Sequence, residues 1–356
     1  MSVQVVDANR PLRIAVVAPV AQAVPPTNSG SIETTTDLLV RGLAALGHEV
    51  TLFATASSST PVTLHATFER GYNEDDAIWP WELCELLNIA AAVEQADRFD
   101  VIHAQVEYAP LALAFQRITT TAIIQTLHHT PTAHEVALWS RYPEAPFIAI
   151  SRAQAARLEG LRVIATVHHA VDTERLQFES TPDDYLLFLG RFTEGKGAVE
   201  AIAAARQTNM PLILAASENE YFRKYVASSV DGTHVIFQGE VGADAKSELL
   251  GRARALLYPV QADEPFGLVL PEAMACGTPV AALNRGAVSE IVDNGVTGRV
   301  FDSLDQLVSG LPQVLTLDRT RVRARAVERF HPDRMVAAHI NIYAALLEER
   351  RDLRTI

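Results

Sequence analysis

The chain has 356 residues, 48% of them hydrophobic and 21% charged, with a formal net charge of −13. That length exceeds one comfortable core and predicts two domains of roughly 100–200 residues each, while the composition excludes long disorder. The acidic balance repels phosphate backbones and argues against a nucleic-acid partner. Only two cysteines occur, Cys84 and Cys276, so no disulfide framework can form and a reducing compartment is expected. The opening segment "MSVQVVDANRPLRIAVVAPV" lacks the basic start and apolar run of a signal peptide. No apolar stretch nears the roughly 20 residues of a membrane span. A cytoplasmic location without stable membrane association is therefore expected.

In chain order, short apolar runs alternate with helical patterns, the signature of a parallel α/β architecture. The run "LRIAVVAPV" (Leu12–Val20) is continuously apolar, as a strand covered on both faces should be. A polar loop, "AQAVPPTNSGS", follows, and then an amphipathic helix in which Leu38, Leu39, Leu43 and Leu46 share one face and Gly47 marks the end. Further strands are predicted in "HEVTLFAT", "DVIHAQ", "TAIIQTLHH", "FIAIS" and "RVIATVHH". A second series begins near Asp184 with "DYLLFLGR", "PLILAAS", "THVIFQGEV", "ARALLYPV" and "TPVAAL". The polar stretch His168–Asp184 between the two series reads as the interdomain linker. The predicted organisation is a Rossmann-like domain over 1–172, another over 173–335, and a C-terminal helix over 336–356 that packs back on the first. Two doubly wound domains face each other across a cleft, and such sheets place ligands at the carboxyl ends of their strands.

Three loops at those ends carry chemistry. In "PPTNSGS", Asn28, Ser29 and Gly30 let backbone approach a ligand just before a helix N-terminus, although ordinary strand–helix turns look much the same. In "LGRFTEGKG", Arg191 and Lys196 stand beside flexible glycines and could grip a diphosphate, or form a solvated basic turn. In "DEPFGLVLPEAMACGTPVAAL", Glu272 opens a helix near Pro271, where an acid suits the helix dipole. That reading leaves Glu264 without a purpose. Backbone N–H groups around Phe266–Val269 could meet phosphate oxygens, and both glutamates could accept from paired hydroxyls. No strand is followed by GxGxxG, which disfavours a nicotinamide enzyme.

This combination resembles the retaining family 4 glycosyltransferases of the two-domain GT-B fold. Their signature of two glutamates separated by seven residues is seen here as Glu264 and Glu272. "LGRFTEGKG" is similar to their donor-phosphate loop, and "GLAALGHEVTLF", "TLHHT", "AISRAQAARL" and the Val171-Asp172 linker fall in the expected order. The double histidine with "LLFLGRFTEGKGAVEA" resembles an antibiotic-pathway, avilamycin-type branch of that family. The resemblance runs from about Leu12 to the last helix. Two departures stand out: "SGS" replaces a common glycine pair, and "HHAVD" replaces a frequent "NGVD", with Ala170 at a position where glycine is free to take positive φ.

The resemblance implies that Arg191 and Lys196 neutralise the diphosphate of a nucleotide-sugar and that Glu272 binds ribose hydroxyls. It implies that Glu264 contacts the donor sugar, that Gly267, Leu268 and Val269, next to Phe266, hold phosphate, and that Gly30 and Ser31 approach from the N-terminal domain. His128 would lie beside the transferred sugar, and backbone at Phe237, Gly239 and Val241 would clamp the base. The implied activity is a retaining, metal-independent hexosyltransferase with no cofactor, using a UDP-sugar, or next a GDP-sugar, and a hydroxyl acceptor. "EDD" (Glu74–Asp76) and Asp183–Asp184 read as solvated connectors rather than metal ligands. Residues 1–172 hold 10 basic and 18 acidic residues and no lysine, which disfavours docking on anionic lipid and favours a soluble small-molecule or saccharide acceptor. Trp79 and Trp81 read either as an acceptor groove or as core. His103, His168 and His169 read as structural, and Cys276 as a buried filler. Other readings on the same fold are a nucleotide-sugar 2-epimerase and a non-catalytic nucleotide-sugar-binding protein.

Overall fold

The computed structural model describes residues 10–106 and 110–355. Residues 1–9, on which part of the signal-peptide reading rests, lie outside them. Seven strands form the N-terminal sheet: β1 (Arg13–Val17), β2 (Glu49–Ala54), β3 (Thr63–Ala66), β4 (Val101–Ala104), β5 (Ala122–Thr126), β6 (Pro146–Ala149) and β7 (Arg162–Thr166). Their order is β3-β2-β1-β4-β5-β6-β7, and every pair is parallel. The C-terminal sheet is built from β8 (Leu186–Leu189), β9 (Leu212–Ala215), β10 (Val235–Gly239), β11 (Ala255–Tyr258), β12 (Val280–Leu283) and β13 (Gly298–Phe301). Its order, β10-β9-β8-β11-β12-β13, is again all parallel.

In each sheet the strand order reverses beside its first strand, between β1 and β4 and between β8 and β11. These are the switch points at which a doubly wound sheet opens a crevice. The loops leaving β1, β8 and β11 are the three that the sequence singled out. β1 is paired on both sides, Ile14 opposite Val50 of β2 and Val101 of β4. Ile14, Ala15, Val16 and Val17 are all fully buried, which explains the unbroken apolar run. Ile14, Val16 and Val17 each contribute about 1.5–3 kcal/mol of burial.

The helix Arg319–Phe330 stays with the C-terminal core, where Val322, Ala326 and Phe330 pack. After His331 the helix Pro332–Thr355 crosses to the N-terminal core, burying Met335, Val336, Tyr343 and Leu346 beside Leu39 and Leu43. Gly42 permits the crossing, because a Cβ there would stand 2.3 Å from Val336 Cγ2. Among the described residues, no helix is long and apolar enough to cross a membrane.

Contacts between the halves cluster along the linker. Glu290 accepts from the Arg152 and Ala153 amides (2.9 and 3.3 Å) and from His168 Nε2 (2.6 Å). Burial alone would raise the Glu290 carboxyl, but the His168 contact and the amides outweigh it and hold it below the usual range. Arg157 and Asp263 add a cross-domain ion pair. His168 thus joins the two halves through a carboxylate, a structural role as expected.

Candidate active site

Between the two switch points lies a cleft of about 870 Å³. Its C-terminal wall carries Gly190 and Arg191 after β8, Glu240 and Val241 after β10, and Lys246, Leu268 and Glu272. Opposite stand Gly30 and Ser31 together with the segment around Trp79 and Trp81. Ser29 Oγ reaches Glu240 Oε1 across the gap at 3.5 Å, while Ser217 Oγ holds the other oxygen at 2.6 Å. Gly30 has extended backbone, yet a Cβ there would stand 2.5 Å from Gln22 Nε2 and 2.7 Å from Glu33 Oε2. Close packing, rather than positive φ, selects this glycine.

The whole chain contains three lysines, and two of them each hold one of the signature glutamates. Lys196 Nζ lies 2.5 Å from Glu264 Oε2, and Lys246 Nζ lies 2.6 Å from Glu272 Oε1. The first pair is set by loop-to-loop contacts: the Gln261 and Ala262 amides both donate to the Gly195 carbonyl, at 2.8 and 3.2 Å. Gly197 closes that turn at φ 78°, and a Cβ there would meet the Pro259 carbonyl oxygen at 2.0 Å. Tyr258, at the end of β11, donates its hydroxyl to the same Glu264 oxygen. Burial, reinforced by the Glu264 charge, pushes the Tyr258 hydroxyl well above its ordinary value, so it stays a donor. Arg191 is exposed in the cleft and makes no ion pair among the described residues, leaving its guanidinium open to an anion.

The remaining expected contacts lie behind this surface. Gly267 takes φ 81° before the helix Val269–Ala275, whose first turn holds Glu272. Of the Phe266–Val269 run, Leu268 lines the cleft and Phe266 is buried. Phe266 packs edge-on to His169 (5.1 Å), and His169 stacks on His128 (5.2 Å), a sequence of rings that runs from one domain to the other. His128 therefore sits beneath the cleft and does not line it. Its Nε2 bonds Gln105 Oε1 at 2.8 Å, while its Nδ1 is buried and has no partner among the described residues. Burial, with the charges of His103 and His129 adding to it, pulls the His128 imidazole down to about 3. His129 bonds Glu135 instead, at 3.3 Å.

Of the backbone expected to clamp a base, Val241 lines the cleft with Glu240, while Phe237 packs its ring against Phe222 (4.2 Å) and neither it nor Gly239 reaches the cleft surface. Glu74, Asp75 and Asp76 are exposed, as expected of a solvated connector; Glu74 in addition accepts from the Gly71 and Ala23 amides at 2.8 and 3.3 Å, and Asp76 lines the cleft. The sequence reading also missed Lys246, in the solvated-looking helix Ala243–Arg252, and Gln105. The scarcity of lysine was the available signal for the first. Cys276 is fully buried, as expected. Among the described residues, no cluster of three or more His, Cys, Asp or Glu has the arrangement to hold a metal ion.

Two facing Rossmann-like sheets with a charged crevice at their switch points define the GT-B class. The model described as Glycosyltransferase Family 4 matches residues 32–175, and that described as Glycosyl transferases group 1 matches 172–329. The chain belongs to the family 4 glycosyltransferases of the GT-B fold. It is 26% identical over 352 residues to the phosphatidyl-myo-inositol mannosyltransferase of Mycolicibacterium smegmatis, covering 90% of this chain and 89% of that protein. It is 26% identical over 369 residues to the N-acetyl-alpha-D-glucosaminyl L-malate synthase of Bacillus anthracis, covering 88% and 93%. Among solved structures it resembles AviGT4, a glycosyltransferase involved in avilamycin A biosynthesis, with TM-score 0.72, 26% identity and coverage of 95% and 98%. Anabaena HepE in complex with UDP shares the fold, with TM-score 0.70, 17% identity and coverage of 94% and 100%.

Proposed function

We propose that this glycosyltransferase moves a sugar from a nucleoside-diphosphate sugar, UDP-sugar before GDP-sugar, to a hydroxyl of a soluble acceptor, with retention and without a metal. The observation that carries the reading is the pairing of Arg191 and Lys246 on one wall of the cleft with a lysine on each signature glutamate. Cations fixed in that wall stabilise the charge that grows on a departing diphosphate. In this reading Arg191 grips the diphosphate, with backbone at Gly267–Val269 alongside. Glu272, oriented by Lys246, accepts from the ribose hydroxyls. Glu264, oriented by Lys196 and Tyr258, accepts from the donor sugar, and His128, beneath the cleft, supports its floor through Gln105 rather than touching the sugar.

In the transfer step the C1–O bond to the diphosphate breaks, and its electron pair leaves on the phosphate oxygen. The acceptor oxygen bonds to C1 from the same face and gives its proton to that phosphate. No carboxylate nucleophile is required. The test is the anomeric configuration of the product by NMR, made in EDTA from each candidate donor. A retained configuration with full turnover in EDTA supports the reading. Inversion, or turnover that needs added magnesium, contradicts it.

A further inference from the structure

The N-terminal wall of the cleft has a face that the donor does not use. Trp79 is 71% exposed and lines the cleft with Tyr72, Asn73, Asp76, Ile78 and Trp81. The segment that carries it is pinned. The Tyr72 and Asn73 amides donate to the Val20 and Ala21 carbonyls at 3.0 and 2.9 Å. Fully buried Glu85 collects the Val20 amide (3.0 Å) and the Tyr72 hydroxyl (3.1 Å). A Cβ at Gly71 would stand 2.2 Å from the Ala21 carbonyl oxygen, so the segment lies flush against the loop after β1. An aromatic surface left open on a backbone held this firmly is a ready-made platform for a flat apolar face.

Charge narrows what the platform can take. Residues 72–82 contain Glu74, Asp75, Asp76 and Glu82 and no basic residue. Among the described residues, no lysine, arginine or histidine of the N-terminal domain lines the cleft; Arg191 and Lys246 both stand on the other wall. A phosphate-bearing acceptor would face carboxylates there without a counter-charge. An uncharged sugar ring would lay its C–H face on the indole and direct hydroxyls to Asn73 and Asp76. We infer that Trp79, with Asn73 and Asp76, forms an acceptor subsite for an uncharged saccharide or glycoside ring and rejects phosphorylated acceptors. The inference rests on the transfer reading for its purpose but not for its binding chemistry.

The experiment is saturation-transfer NMR on the full chain with UDP present, probing the methyl glycosides of glucose, galactose, mannose and N-acetylglucosamine, and inositol 1-phosphate in parallel. At least one glycoside is expected to saturate through its ring-face protons. Trp79→Ala should cut that signal at least fivefold and Trp79→Phe should keep it within twofold, with UDP affinity unchanged within twofold in both variants. Silence from every glycoside, an undiminished signal in Trp79→Ala, parallel loss of UDP binding, or tighter binding of inositol 1-phosphate than of any glycoside would each overturn it. A wild-type chain that binds glycosides through Trp79 but no nucleoside diphosphate would sink the transfer reading and leave this subsite standing.

Discussion

The Nε2 of His128 lies 2.8 Å from the side-chain oxygen of Gln105, and this contact selects the tautomer of a ring that sits beneath the cleft. The Gln105 amide nitrogen is 3.2 Å from His103 Nε2, so the amide oxygen is the atom turned to His128. His128 then carries its proton on Nε2 and keeps Nδ1 as a bare acceptor. His103 is held in turn by Tyr343 (2.6 Å) on the C-terminal helix and by Thr126 (2.8 Å). A buried hydrogen-bonded row thus runs from that helix to the floor of the cleft.

Gln105→Leu is expected to release the tautomer and lower kcat about tenfold, the effect of one lost oriented hydrogen bond, while UDP affinity holds. Steady-state kinetics beside calorimetry on the variant check this. Unchanged kcat would remove the His128–Gln105 support from the reaction.

Glu264 has a side chain only 6% exposed, and Lys196 is its sole cationic partner among the described residues. Lys196→Met should therefore destabilise the fold by about 1–3 kcal/mol, because a buried carboxylate is left to Tyr258 alone. Lys196→Met combined with Glu264→Gln should recover most of that loss in urea unfolding, yet remain inactive. Equal stability of single and double variants would show that the pair is not coupled.

Lys246 and Glu272 share the cleft wall, so their variants should read in binding before stability. Lys246→Met and Glu272→Ala are each expected to weaken UDP by about 1.5–3 kcal/mol, the value of a charge-assisted contact. Calorimetric titration measures both. Wild-type affinity in Glu272→Ala would take that residue out of the ribose role.

Four histidines set a pH dependence. Burial holds His103 and His169 well below the ordinary 6.5, pulls His128 to about 3 and pulls His339 to about 4. For such groups the unfolded chain binds more protons, so the stability they contribute is complete above pH 6.5 and is lost as pH falls toward their folded values. Each histidine should remove up to about 1.4 kcal/mol per pH unit in that window. Urea unfolding at pH 7.5, 6.5 and 5.5 tests the slope, above the range where carboxylates titrate. Equal stability at all three values would contradict it.

Much of this architecture is written in local pattern. The apolar runs at β1 and β8 and the glycine-rich loops after them point to parallel sheets and to the crevice between them. β3 and β13 escape that reading because each is an edge strand with little buried apolar surface, "TLHA" (Thr63–Ala66) forming one and Gly298-Arg299 opening the other. The glutamates were legible through their spacing; their lysine partners were not, because Lys196 and Lys246 reach them over 68 and 26 residues. Glu74 is exposed as read, and only its contact to the Ala23 amide, some fifty residues earlier, was out of reach of the sequence.

The central claim is that the cleft binds a nucleoside diphosphate through Arg191 and the lysine-held Glu272. Calorimetric titration of the full chain with UDP, GDP, ADP and dTDP in EDTA addresses it most directly. One diphosphate, UDP first, should bind at micromolar affinity and lose at least tenfold in Arg191→Ala. A folded chain that binds none of the four would contradict the account.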